Sequence, residues 1–130
     1  KNNTSIKIDC EYAATSLIKI RHSDLREIIV NLLINSAEAI QQDGTISIKT
    51  RDNKSNNSLI IIVSDTGMGM APEVQKSCFD LFYTTKGDKG TGIGLSMIAD
   101  IVKNYNGTIA LNSEEGKGTT FTIEIPTLFP

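Results

Sequence analysis

The residues of this chain that could do chemistry are concentrated in a glycine-rich stretch between positions 65 and 95. The stretch opens with Asp65, Gly67 and Gly69 and ends with four glycines, at positions 87, 90, 92 and 94. Because glycine lacks a Cβ, backbone N–H groups at such positions can approach a ligand closely. The last glycines also precede a helical pattern, and a helix N-terminus attracts phosphate. The pattern therefore predicts a nucleotide site with a glycine-hinged lid, and we expect segment 84–92 to be mobile when the site is empty.

Two familiar nucleotide motifs are absent from the sequence. A P-loop requires Gly-Lys followed by Ser or Thr, whereas Gly116-Lys117 is followed by another glycine. The dinucleotide fingerprint fails because Leu95 stands where its third glycine belongs, and because the motif follows a loop rather than a strand. A nucleotide site in this chain must therefore use other residues.

Three polar side chains are candidates for such a site. Asn31 and Asn35 fall on one helical stripe with Glu27, and an asparagine oxygen beside a triphosphate suits Mg²⁺. Asp65 could accept a hydrogen bond from the exocyclic amine of adenine, a donor that guanine lacks at that position. Taken singly, the asparagines could equally belong to a solvated helix face, and an Asp before Gly is more often a turn residue.

Hydrophobic periodicity places these residues on strands and helices. It predicts strands over 5–12, 16–20, 45–51, 59–63, 108–111 and 119–125, with 59–63 central because it is continuously apolar. It predicts helices over 24–41, 72–79 and 91–105, the first opened by an Asp24–Glu27 capping box. Asp65 then follows the carboxyl end of a strand, where ligand sites commonly lie. The order predicts an α/β (α+β) two-layer sandwich, with three helices on one face of the sheet.

The bulk properties indicate a single domain over residues 1–130. The net charge is −2 and the cationic residues are scattered, which argues against a nucleic-acid partner. No apolar run is long enough to span a membrane, so we expect a cytoplasmic domain, although its full-length protein can still be membrane-anchored. Cys10 and Cys78 lack metal-ligand spacing and are expected to be core thiols. Because the chain begins at Lys1 without methionine, we expect a fragment of a longer protein.

Five motifs occur together in a recognisable order. They are Asn31…Asn35, Asp65-x-Gly67-x-Gly69, Phe79-x-x-Phe82, Gly90-x-Gly92-x-Gly94 and Gly116-x-Gly118-Thr119. This order resembles the N, G1, F, G2 and G3 boxes of the catalytic, ATP-binding domain of sensor histidine kinases, over almost the whole chain. The phrases NLLINSAEAI and FYTTKGDKGTGIGL are most similar to the nitrogen-regulation and sporulation-kinase branch.

The resemblance implies a Bergerat fold with a mixed sheet, of the kind shared with DNA gyrase and mismatch-repair ATPases, and it implies the ligands ATP and Mg²⁺. It implies that Asp65 binds the adenine amine, helped by Thr119 or Thr120. It also implies that Asn35 is the Mg²⁺ ligand and that Asn31 lies beside the phosphates.

The same resemblance implies a lid over the β and γ phosphates. Lys86 and the 90–94 loop would form this lid, with Phe79 and Phe82 as its anchors. Asn31, Asn35 and Lys86 are the implied catalytic residues. The implied nucleotide-binding residues are Asn31, Asn35, Asp65, Gly67, Gly69, Met70, Lys86, Gly90, Thr91, Gly92, Ile93, Gly94, Leu95, Thr119 and Thr120.

Residue 31 separates the branches of this family. The hydrolytic relatives carry Glu there as the base that activates water, and Asn31 cannot accept that proton at neutral pH. The resemblance therefore implies a domain that holds ATP for a histidine on a separate dimerisation domain. It further implies a homodimeric full-length kinase with a cognate response regulator, and a fragment that does not phosphorylate itself.

Two features depart from the family's pattern. Glu38 stands where many sensor kinases have a basic residue, so a lysine contact to phosphate is not expected there. The only histidine, His22, lies before the first helix, where the family has no phosphoacceptor, and is expected on the surface.

Other functions remain open on the sequence. A Ser/Thr kinase of the anti-sigma type shares these boxes, and a scaffold module could bind ATP without transferring phosphate. Acid-labile phosphohistidine would distinguish the first from acid-stable phosphoserine. Rapid phosphate release by the isolated domain would instead indicate an ATPase.

Overall fold

Residues 5–79 and 94–128 are described by the structure, a computed structural model. In chain order its elements are β1 Ile6–Tyr12, α1 His22–Ala39, β2 Gly44–Asn53, β3 Ser58–Asp65, α2 Pro72–Ser77, α3 Gly94–Asn104, β4 Thr108–Glu114 and β5 Gly118–Pro126. Within the described ranges, no helix is long and apolar enough to cross a membrane.

The strands form one mixed sheet in the order β1-β2-β3-β5-β4. β1 runs parallel to β2, and the remaining neighbours are antiparallel. The apolar run 59–63 lies in β3, between β2 and β5, so its predicted central position is confirmed. Asp65 is the last residue of β3, at the end of the sheet where β5 begins.

One face of the sheet carries the hydrophobic core. Alternate residues of β3 and β5 point to this face and pack against α1 and α3. α2 borders the same layer, because Val74 shares a cavity with residues of α1 and β5. The predicted two-layer sandwich is therefore confirmed. Its buried core residues are Ile28, Leu32, Ile40, Ile46, Ile61, Val63, Ile98, Val102, Phe121, Ile123 and Ile125.

The strand predicted over 16–20 is wrong, because no strand forms there. The carboxylate of Asp52 accepts hydrogen bonds from the backbone N–H groups of Thr15 and Ser16, each at 3.0 Å, and from both hydroxyls. A side chain therefore occupies amides that a sheet partner would otherwise use. The alternating apolar residues still serve the core, since Ile18 and Ile20 pack against it.

The predicted Asp24–Glu27 capping box is also wrong. α1 begins two residues earlier, at His22, and its N-cap residue makes no side-chain capping bond. Asp24 instead accepts a 2.6 Å hydrogen bond from the hydroxyl of Tyr105, which itself accepts one from the N–H of Arg21. The acidic residue therefore ties the start of α1 to the end of α3.

The two cysteines differ in environment. Cys78 is buried, as predicted for a core thiol, whereas Cys10 is exposed and the prediction for it is wrong. Cys10 lies on β1, an edge strand whose residues after Ile6 are all exposed. His22 is exposed at the first residue of α1, in agreement with the predicted surface position.

The Asp52 contacts predict a pH-dependent stability. Hydrogen bonds from Ser16 and Thr15 hold the pKa of the Asp52 carboxyl well below its ordinary value. A lowered folded-state pKa stabilises the fold above the unfolded pKa of about 3.9, and this contribution is lost as the pH falls further. We expect Asp52→Asn to lower the free energy of unfolding at pH 7 and to flatten its decline between about pH 5 and about pH 2.

Urea denaturation at several pH values measures both effects. Asp9→Asn is the matched control, because the one side-chain contact of Asp9 among the described residues is an exposed ion pair with Lys7 at 3.7 Å. If the free energy of unfolding changes with pH equally in wild type and Asp52→Asn, the pKa of Asp52 is not the source of the pH dependence.

Candidate nucleotide-binding site

A cleft of about 620 Å³ opens at the end of the sheet where β3 stops and β5 starts. Its volume lies within the range of about 300–1,000 Å³ that is usual for small-molecule sites. Two helices, the segment after β3 and the β4–β5 turn all contribute to its walls. The lining residues are Asn35, Glu38, Ala39, Asp65, Met68, Gly69, Met70, Ala71, Val74, Glu115, Thr119 and Phe121.

Asp65 provides a buried carboxylate in the cleft wall. Its side chain faces the helices because it continues the inward alternation of Ile61 and Val63. The residue is only 8% exposed, and Oδ1 accepts a 2.8 Å hydrogen bond from the N–H of Gly67. This bond holds the carboxyl group in place, and Oδ2 makes no hydrogen bond with any described residue. A ligand with a hydrogen-bond donor can therefore be bound here.

The segment after Asp65 is fastened to the β4–β5 hairpin. The N–H of Gly116 donates to the carbonyl of Met68 at 2.6 Å, and the N–H of Met70 donates to Ser113 Oγ at 2.9 Å. Gln75 donates through Nε2 to the carbonyls of Met70 and Ser113, at 2.9 and 3.1 Å. These bonds fix the lining residues Met68, Gly69 and Met70 from two sides.

The stripe of α1 that carries Glu27, Asn31 and Asn35 leads to the cleft through its last member. Asn35 lines the cleft, whereas Asn31 lies one turn earlier and outside the lining set. The Asn31 amide donates through Nδ2 to the carbonyl and to Oε2 of Glu27, at 2.8 and 2.7 Å. Its oxygen lies near the start of α3, only 3.2 Å from where a Cβ on Gly94 would stand. Glu27 therefore sets the direction of this amide.

The two candidate threonines are separated by the sheet. Thr119 pairs with Asp65 across β3 and β5, is buried, and lines the cleft. Thr120 faces the other side of the sheet, where its hydroxyl lies 2.9 Å from Ser64 Oγ. The prediction that Thr120 binds the nucleotide is therefore corrected, since adjacent strand residues point to opposite faces.

The remaining predicted residues fall partly outside the described ranges. Gly94 is the first residue of α3, and Leu95 packs its side chain against the core. Phe79 meets Phe121 edge to face, with ring centroids 6.2 Å apart. Lys86, the lid predicted over 84–92, and Phe82, Gly90, Thr91, Gly92 and Ile93 lie outside the described residues.

Sequence reasoning missed the roles of three residues around this site. Ser113 and Gln75 hold the segment after β3, and Glu27 orients Asn31. Only Glu27 carries a sequence signal, because it precedes Asn31 by one helical turn on the same stripe. The contacts of Ser113 and Gln75 depend on which strands become neighbours, which no local pattern reports.

The domain has a mixed sheet that helices cover on one face, and a cleft with acidic residues lies at one end of the sheet. Residues 20–128 match the family described as "Histidine kinase-, DNA gyrase B-, and HSP90-like ATPase". The chain therefore belongs to this family of ATPase-type domains, which bind ATP.

Several similar proteins are sensor kinases. The chain is 35% identical over 127 residues to the sensor histidine kinase ZraS of Salmonella typhimurium, covering 95% of this chain and 27% of that protein. It is 36% identical over 125 residues to the sensor kinase CckA of Brucella abortus, covering 85% of this chain and 13% of that protein. The chain thus spans about a quarter or less of these relatives.

Solved structures agree with this assignment. The catalytic domain of histidine kinase ThkA superimposes with a TM-score of 0.80 at 28% identity, covering 94% of this chain and 79% of that one. The mycobacterial sensor histidine kinase MprB, at 19% identity, shares the fold with a TM-score of 0.82, over 94% of this chain and 84% of that one.

The glycines of the cleft generate a testable difference. Gly69 has φ 71°, and a Cβ there would overlap the carbonyl oxygen of Glu114. Gly116 has a similar φ of 84°, but a Cβ there would meet nothing within 4 Å. Gly116→Ala should therefore lower the free energy of unfolding by only about 1–2 kcal/mol, the cost of a left-handed backbone.

Gly69→Ala should lower the free energy of unfolding by at least about 2 kcal/mol more, because the hairpin must also move. It should also weaken nucleotide binding, whereas Gly116→Ala should bind nearly as wild type does. Urea denaturation and calorimetric titration measure the two effects. If both variants lose the same free energy of unfolding, the close approach of Gly69 to Glu114 makes no extra contribution to stability.

Proposed function

We propose that this domain binds Mg·ATP in the cleft and supplies the γ-phosphoryl group to a histidine on a separate dimerisation domain. The observation that carries the proposal is the buried Asp65 carboxylate, held by the N–H of Gly67, in the wall of a cleft of nucleotide size. Membership of the ATPase-type family supports ATP as the ligand.

The cleft suits an adenine base. Met68, Met70, Val74 and Phe121 provide apolar surface for the faces of the ring. Asp65 provides a hydrogen-bond acceptor at its edge, and adenine presents a donor, its exocyclic amine, where guanine presents an oxygen. A site built around a buried acceptor rejects the base that leaves it unpaired.

The α1 stripe suits the phosphate end of the ligand. Asn35 lines the cleft, and its amide oxygen would hold Mg²⁺ beside the phosphates, since Mg²⁺ prefers oxygen ligands. Within the described ranges, no three His, Cys, Asp or Glu side chains cluster to hold a metal. When bound, the metal neutralises phosphate charge. Lys86 and the lid glycines are proposed to cover the phosphates.

The chemistry of Asn31 supports transfer over hydrolysis. An amide cannot remove a proton from water, and its Nδ2 is already engaged by Glu27. In the proposed transfer, an imidazole nitrogen attacks the γ-phosphorus as the bond to the β-γ bridging oxygen breaks, and ADP leaves. Positioning and charge neutralisation supply most of the catalysis in such transfers.

The proposed partners follow from the same transfer. The acceptor histidine would belong to the dimerisation domain of a homodimeric kinase, which would pass the phosphoryl group to a response regulator. Their identity as two-component partners is supported by the sensor kinases to which the chain is similar.

The adenine assignment is tested by calorimetric titration of Mg·ATP and Mg·GTP. We expect wild type to bind ATP and to show no comparable binding of GTP. Asp65→Asn should weaken ATP binding by about tenfold or more, because it removes a charge-assisted hydrogen bond. Asp52→Asn is the matched control, since it makes the same change at the far end of β2. Failure of wild type to bind either nucleotide would overturn the proposed function.

The transfer is tested with radiolabelled ATP and the full-length protein that carries this domain. We expect label that is stable to base and lost in acid, as for phosphohistidine, and none on the isolated domain. Label that survives acid would indicate a Ser/Thr kinase instead. ATP binding without label on the full-length protein would indicate a nucleotide-binding scaffold.

A further inference from the structure

Among the described residues, the hydroxyl of Ser113 has three polar neighbours, one of which, Thr119, lines the cleft. It accepts a hydrogen bond from the N–H of Met70 at 2.9 Å and lies 3.0 Å from the carbonyl oxygen of Gly118. Its third neighbour is Thr119 Oγ1, at 2.8 Å. All three distances are those of good hydrogen bonds.

The proton positions follow from the valence of a hydroxyl group. A serine hydroxyl has one proton to donate and two lone pairs to accept. A carbonyl oxygen can only accept, so the bond to Gly118 uses the one proton of Ser113. The N–H of Met70 occupies one lone pair, and Thr119 must then donate to the other. This is the one assignment in which all three contacts are hydrogen bonds.

Thr119 stands between Ser113 and Asp65 in the sheet. It pairs with Asp65 on β3 and with Ser113 on β4, so the three side chains point to the same face in one row. Because its proton is directed to Ser113, Thr119 can offer the cleft only lone pairs. The neighbouring Asp65 carboxylate is also an acceptor, and Gly67 provides the one hydrogen bond that it receives from the described part of the chain, at Oδ1.

We propose that Ser113, which does not line the cleft, is a specificity-determining residue for the base. Because Ser113 directs the Thr119 proton away from the ligand, Asp65 and Thr119 present only hydrogen-bond acceptors to the cleft. Two acceptors favour the 6-amino group of adenine, which donates, over the 6-oxo group of hypoxanthine or guanine, which accepts. The inference rests on the proposed binding of ATP.

Removing the Ser113 hydroxyl reverses this arrangement. In Ser113→Ala the Thr119 hydroxyl loses its acceptor and turns towards the Asp65 carboxylate or a ligand oxygen. The first outcome occupies the acceptor that ATP needs, and the second provides a donor for a 6-oxo base. Both reduce the preference for ATP over a nucleotide with oxygen at position 6.

The experiment compares Mg·ATP with Mg·ITP, whose base carries oxygen in place of the amine. Competition calorimetry gives the ratio of the two dissociation constants for each protein. We expect this ratio to fall by about tenfold in Ser113→Ala, the size of one hydrogen-bond discrimination. Ser113→Thr retains a hydroxyl and should keep most of the wild-type ratio.

Two controls separate selectivity from general damage to the cleft. Gln75→Leu removes the other side-chain tie to Met70 and leaves the Thr119 hydroxyl contact in place. Gln75→Leu should lower the affinities for both nucleotides by the same factor and leave the ratio of the two dissociation constants unchanged. Ser64→Ala removes the equivalent hydroxyl pair with Thr120 on the opposite face of the sheet and should change neither affinity.

The outcomes distinguish this inference from the proposed function. If wild type does not bind ATP, the proposed function fails and the inference fails with it. Wild type could instead prefer ATP while Ser113→Ala lowers the affinities for ATP and ITP by the same factor. In that case only the inference is overturned, and Ser113 acts through the position of Met70. A reduced ratio in Ser113→Ala, restored in Ser113→Thr, supports it.

Discussion

The close approach of β3 and β5 at the cleft end of the sheet is the constraint on which the site depends. A Cβ on Gly118 would overlap the carbonyl oxygen of Asp65, and Gly118 has φ 136°, so a residue with a side chain would push the strands apart. The approach sets Thr119 beside Asp65 with both side chains towards the helices. A slip of one residue would turn one of them to the open face and dismantle the site.

The segment after β3 is fixed by both layers of the sandwich. The N–H of Met68 donates to the carbonyl of Ala39, the last residue of α1, at 2.9 Å. The carbonyl of Met68 accepts a hydrogen bond from the N–H of Gly116. Gly67 fits against the backbone of Ala39, where a Cβ would lie only 2.7 Å from backbone atoms. The lining segment is thus held by backbone contacts within the chain, which reduces the ordering cost on binding.

Much of the architecture could be predicted because its signals are local. The apolar run of β3, the helical period of α1 and the glycines of the β4–β5 turn each report one element, and Asp65 falls at the end of β3 as expected. The failures are contacts between distant segments. Asp52 captures Thr15 and Ser16, so an alternating pattern forms no strand. Register alone decides which threonine enters the cleft, and two adjacent threonines look the same in sequence.

The polarity of the site follows from hydrogen-bond directions rather than from composition. Beside Asp65, the Ser113 hydroxyl donates to the carbonyl of Gly118 and accepts from the N–H of Met70, so its contact with Thr119 requires Thr119 to be the donor. At the other end, Glu27 accepts from the Asn31 amide and thereby turns the amide oxygen towards the start of α3. A carboxylate at position 31 could take a proton from water, whereas an amide cannot in any orientation. Hydrogen bonds between side chains therefore fix the orientation of the polar groups at both ends of the cleft.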